Sequence, residues 1–210
     1  MKKDFMTLNF DSKKIYIIAE AGINHNGSLH LAKKLILEAK RSGANAVKFQ
    51  TFNTSSVVTK FASQAPYQVN NMKKKETQFN MIKKYELKSK DFFLLKKYSQ
   101  KIKIDFISSV FDEQSVSFLL NKIGSKVIKL PSGEINNLLI LKKLKLSNYK
   151  ILISTGMSNY QDIINAINTI AKKKVYKLKN LKPVIINKRY FKILKKKNLY
   201  NALCNRLPCE

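Results

Sequence analysis

The chain has 210 residues, 44% of them hydrophobic with only six Gly and four Pro, a composition that fits one globular domain and excludes disordered, collagen-like and low-complexity classes. No apolar run reaches the roughly 18 residues of a membrane-crossing helix, and Met1-Lys2-Lys3-Asp4-Phe5 opens no signal-like stretch, so a cytoplasmic protein without a membrane partner is expected. The formal charge of +28 points towards polyanions, but only Arg41, Arg189 and Arg206 among 41 basic residues carry the fork that reads phosphates and bases, and AT-rich codons account for the Lys excess without a nucleic-acid partner.

In chain order, short β-branched runs alternate with helical periodicity, the pattern of βα units around a parallel sheet. Strand one is predicted over Lys14 to Ala19, followed by a Gly-Asn-Gly turn and a helix over Ser28 to Ser42 with Ser28 as N-cap. Strand two is placed at Ala44 to Phe49. A polar segment too long for an ordinary βα loop follows, with helices near Glu76 to Tyr85 and Lys90 to Lys101. Strands three, four and five are placed at Lys103 to Ser108, Lys126 to Leu130 and Lys150 to Ser154, with helices beginning near Asp112, Asn136 and Ser158. The alternation then stops. The stretch 172–198 reads as a basic insertion in which Tyr176, Tyr190 and Phe191 interleave; a solvated surface and a single-stranded nucleic-acid contact are the alternatives.

The polar residues gather where strands end. Glu20 closes strand one, Lys48 and Gln50 strand two, Ser108 and Ser109 strand three; Lys129 with Ser132, Gly133 and Glu134 follows strand four, and Ser154-Thr155-Gly156 follows strand five. In a closed βα barrel those ends converge on the face that carries the active site. Lys48 and Lys129, with the hydroxyls of Ser109, Ser132 and Ser154, make a pocket suited to a phosphate or carboxylate; otherwise they are solvated strand ends. Glu20 is either an acid, base or sugar-hydroxyl acceptor, or the ion-pair partner of one of the lysines. His25 reads as a hydrogen-bonder of its turn or as a proton shuttle. Cys204 and Cys209 have no His or Cys partner nearby that would suggest a disulfide framework or a zinc site.

The runs Ile18-Ala19-Glu20-Ala21-Gly22-Ile23-Asn24-His25-Asn26-Gly27, Val47-Lys48-Phe49-Gln50-Thr51, Lys129-Leu130-Pro131-Ser132-Gly133-Glu134-Ile135-Asn136-Asn137 and Ile153-Ser154-Thr155-Gly156-Met157 together resemble the sialic acid synthase family. Ala65-Pro66-Tyr67-Gln68 resembles its bacterial branch that makes legionaminic acid or related sugars. The resemblance implies a (β/α)8 TIM-type barrel that condenses phosphoenolpyruvate with an N-acylated mannosamine-type sugar. Carried over position by position, Lys48, Ser109, Lys129, Ser132 and Ser154 hold phosphoenolpyruvate and Gln50 faces the sugar, while Glu20, Lys129 and Glu134 are the catalytic candidates. Ser108-Ser109-Val110-Phe111 departs from the family's Ser-Thr-Pro-Phe. The family implies a divalent ion, Mn or Mg, a homodimer and a C-terminal antifreeze-like domain.

Only about five βα units are legible, in residues 1–171, so the barrel is expected to be incomplete, with strands one and five as open edges and no antifreeze-like domain. The family's two metal-binding histidines, in a His-Cys motif that ends strand six and on strand seven, are not readable, so no metal ligand is assigned. Codons can be chosen for Ala202-Leu203-Cys204-Asn205-Arg206-Leu207-Pro208-Cys209-Glu210 that, read one base later, spell His-Cys-Val-Thr-Asp-Tyr-Pro-Val, the expected strand-six motif. Residues 199–210 are therefore expected to be a frameshifted tail, and the chain a truncated synthase, inactive alone. The alternatives are a phosphoenolpyruvate-binding half-barrel completed by another polypeptide, or a basic nucleic-acid-binding protein.

Overall fold

The computed structural model describes residues 16–66, 76–144, 149–156 and 158–171. Five parallel strands lie side by side in chain order: β1 (Ile18–Gly22), β2 (Ala46–Thr51), β3 (Asp105–Val110), β4 (Val127–Leu130) and β5 (Lys150–Ile153). Between them run α1 (Leu29–Arg41), α2 (Thr54–Val57), α3 (Gln78–Lys83), α4 (Ser89–Lys101), α5 (Glu113–Ser117), which continues as a π-helical turn over Phe118–Ile123, α6 (Leu138–Lys143) and, after β5, α7 (Tyr160–Ala171). A sheet whose sequential strands are all parallel, with its helices packed on one side, is an arc of a TIM-type barrel rather than a doubly wound sheet. Among the described residues, β1 and β5 each have one unpaired edge.

Alternation along the strands makes the two faces different. Val47, Phe49, Phe106, Ile128 and Leu130 join Ile36, Leu95, Leu119, Ile140 and Ile170 of the helices in one large buried cluster. The opposite face carries a small cluster of Ala46, Ile107 and Val127, flanked by Tyr16, Ile18 and Leu152. Across this inner face the Tyr16 hydroxyl donates to Asp105, spanning the small Ala46 between them.

Strand ends differ from the expectation for a physical reason. β2 and β3 run two residues past Phe49 and Ser108, because Gln50 and Ser109 lie opposite one another in the ladder instead of in the loops beyond it. The first helix starts as expected, its N-cap Ser28 accepting from the Leu31 amide. The long excursion after β2 is tied by the Ser63–Thr77 antiparallel bridge. Its α3 turn passes so close to the β1–α1 turn that a Cβ on Gly27 would lie 2.2 Å from the Lys84 carbonyl oxygen. The expectations for 172–198, the tail 199–210 with both cysteines, Tyr67, Gln68 and Met157 fall outside the described residues.

Candidate functional site

The inner face changes character towards the carboxyl ends of the strands. One step beyond the apolar cluster, Glu20 on β1, Lys48 on β2, Ser109 on β3 and Lys129 on β4 replace Ile18, Ala46, Ile107 and Val127, each two residues further along its strand. Period-two alternation therefore aims all four into the same space.

Lys48 is the centre of the group. Its Nζ donates to Ser109 Oγ at 3.1 Å and forms an ion pair with Glu20. The ion pair is the contact that Glu20 makes in the free protein, its side chain 39% exposed. Lys129 donates to the Leu130 carbonyl oxygen at 2.9 Å, and the same oxygen accepts the Ser154 amide at 3.1 Å, which ties the end of β5 to that of β4. Burial, together with the positive charge of Lys48, lowers the Lys129 ammonium to about 8, an effect that Glu20 partly offsets. Two lysines against one carboxylate leave this cluster with surplus positive charge.

Ser108 and Ser109 part company. Ser109 faces Lys48, whereas Ser108 turns to the other face and shares a buried 2.7 Å hydrogen bond with Thr51. Gln50 borders the cluster through Gly22, whose φ is +52°; a Cβ there would lie 3.3 Å from Glu20 Oε1 and 3.7 Å from Gln50 Nε2. A side chain at residue 22 would thus fill the gap between these two polar groups. Ser132 opens the 3-10 turn Ser132–Glu134 after β4. Glu134 accepts from Asn137 Nδ2 at 2.8 Å, at the start of α6, and has no bond to either lysine.

His25 belongs to the other face. It is 1% exposed, packs against Phe49 with ring centroids 5.9 Å apart, and its Nδ1 accepts the Gly27 amide at 3.0 Å. Nδ1 is then unprotonated, the neutral ring carries its proton on Nε2, and burial holds the pKa down at about 4. This matches the turn-bonding role rather than a proton shuttle. The chain's other histidine, His30, is exposed on α1. Among the described residues no three His, Cys, Asp or Glu side chains converge as a metal site would require.

Two features of the site had no signal in the sequence reading. The close approach of Glu20 and Gln50 over Gly22 depends on its positive φ and on the absence of a Cβ there. Asp112, read only as the start of a helix, also accepts the amide of Asn53 at 2.9 Å from the loop after β2.

A family model described as the NeuB family matches residues 35–187. The chain is 48% identical over 160 residues to the N,N'-diacetyllegionaminic acid synthase of Campylobacter jejuni, covering 76% of this chain and 48% of that protein. It is 46% identical over 159 residues to the enzyme of the same description from Legionella pneumophila, covering 76% and 44%. Among solved structures, the N-acetylneuraminic acid (sialic acid) synthetase of Leptospira borgpetersenii, in complex with citrate, superposes with a TM-score of 0.62 at 33% identity, covering 76% of this chain and 51% of that one. The chain thus spans about half the length of the curated relatives it matches.

Proposed function

The chain belongs to the NeuB family, and on that premise we propose that its described part is the phosphoenolpyruvate-binding portion of a nonulosonic acid synthase of the legionaminic or sialic type. The observation that carries the reading is the inner-face cluster in which Lys48 and Lys129 share one site with Ser109, with Glu20 as their single counter-charge. Lys48, Lys129 and Ser109 bind the anionic substrate, with Ser132 and Ser154 at the margin. Glu20 and Gln50, on either side of the Gly22 gap, face an N-acylated amino sugar, and Glu134 borders the reacting centre.

These residues bind and orient; a bound anion replaces Glu20 as the partner of Lys48 and keeps Lys129 protonated. In the family a divalent metal would supply the polarisation of the sugar aldehyde, and no cluster of His, Cys, Asp or Glu among the described residues would hold it. With His25 bonded to its turn and His30 exposed on α1, we assign the described residues to binding phosphoenolpyruvate rather than to condensing it. We place the protein in the cytoplasm, and read residues 199–210 as out of frame with the family's strand-six motif; the DNA sequence downstream of the Lys195 codon tests this.

The binding reading is tested by thermal unfolding with and without phosphoenolpyruvate. Stabilisation of the wild type that is lost in Lys48→Met supports it. No stabilisation of a folded wild-type chain contradicts it. An assay with phosphoenolpyruvate, an N-acylated mannosamine-type sugar and Mn separately tests turnover; condensation at the rate of a full-length relative contradicts the inactive reading.

A further inference from the structure

We propose that Asp112 is a positioning residue that holds the ends of β2 and β3 in alignment over the anion site; this rests on the anion-binding reading above. Gln50 and Ser109 are ladder partners, and regular pairing ends one step later at Thr51 and Val110. Beyond that point the two loops would be free to separate. Asp112, three residues past Ser109 and 6% exposed, closes them with its carboxylate: Oδ2 accepts the amide of Asn53, three residues past Gln50, at 2.9 Å. The same carboxylate caps α5, accepting Ser115 Oγ at 2.7 Å and the Ser115 amide at 2.7 Å.

The clamp extends in both directions. Phe52 and Phe111, the residues just before Asn53 and Asp112, meet edge-on with centroids 6.4 Å apart. Asn53 caps α2 through the Ser55 amide at 3.0 Å, and the Thr54 amide is taken by Glu86 Oε2 at 2.9 Å. The chain leaving Gln50 is therefore fixed at two successive amides by two carboxylates from distant segments. A helix cap alone does not need this reach, since a serine caps well. An aspartate long enough to take both Ser115 and Asn53 sets the lateral position of Ser109 against Gln50, and small displacements of binding groups are costly.

Asp112→Ser separates the two roles: it retains an N-cap oxygen for α5 and gives up the bond to Asn53. Loss of that bond is expected to weaken phosphoenolpyruvate binding about tenfold, to speed hydrogen exchange at the Asn53 amide, and to move the NMR signals of the Ser109 amide and the Gln50 side-chain amide. Unchanged affinity with unchanged Ser109 and Gln50 signals overturns the proposal. If the wild-type chain binds neither phosphoenolpyruvate nor inorganic phosphate, the anion-binding reading has failed, and the Ser109 and Gln50 signals alone decide the clamp: displaced signals support it and unmoved ones overturn it. If Asp112→Ser does not fold, Asp112→Asn, which keeps one accepting oxygen, carries the same comparison.

Discussion

Lys48 and Lys129, on strands separated by β3, stand close enough that the charge of the first lowers the basicity of the second. Two ammonium groups, of which only Lys48 is ion-paired with Glu20, form a site whose charge is balanced by an incoming anion.

Anion affinity is expected to depend on pH through Lys129. Its ammonium titrates at about 8 in the free protein, and a bound anion favours the charged form, so binding takes up a proton above that pH. The affinity for phosphoenolpyruvate should be level just below pH 8 and fall by up to about tenfold per pH unit above it. Calorimetry across this range checks the slope. A Lys129→Arg variant, charged throughout, should lose the decline.

His25 sets a second pH dependence, in stability. Its pKa is about 4 when folded against an ordinary value of 6.5, so below 6.5 the unfolded chain binds a proton that the folded chain refuses. The stabilisation is complete above 6.5 and is lost as the pH falls towards 4, with a full extent of about 3 kcal/mol. Denaturant titrations at pH 7 and 4.5 should show a larger loss for the wild type than for His25→Asn, which keeps an acceptor for the Gly27 amide.

Gly27 and Gly43 both have left-handed backbones, φ +74° and +79°, but different surroundings. Gly43→Ala meets nothing within 4 Å and should cost about 1 kcal/mol, the left-handed penalty alone. Gly27→Ala drives a methyl into the Lys84 carbonyl and should cost clearly more, releasing the α3 turn from the β1–α1 turn. Unfolding midpoints of the two variants check the order.

At the opposite end of the inner face, the bond from Tyr16 lowers the Asp105 pKa against a larger rise from burial. Tyr16→Phe is expected to raise that pKa further and to cost about 1–2 kcal/mol, since a half-buried carboxylate loses its donor. Carboxyl NMR titration and denaturation measure the two effects.

The strands themselves were legible because β-branched runs bounded by turn residues need only local information. β4 was placed within one residue of its observed start. The limits of β1, β2 and β3 were not: β1 runs from Ile18 to Gly22 rather than ending at Ala19, and Gln50 and Ser109 are polar for the site they face and yet belong to the ladder. The role of His25 was readable from its turn, because its partner Gly27 is two residues away. The Glu20–Lys48 contact depends on the sheet register, which sets the two residues opposite one another and is not local in the sequence. Asp112 with Asn53 and Tyr16 with Asp105 join positions 59 and 89 residues apart, and nothing local in the sequence marks such pairs.

The most direct test of the anion site is to titrate the chain with phosphoenolpyruvate while following the side-chain NMR signals of Lys48 and Lys129. Both signals should shift together at one saturating stoichiometry, with the Lys129 titration moving upward from about 8. Binding that leaves both lysines unmoved, or no binding by a folded chain, would contradict the account.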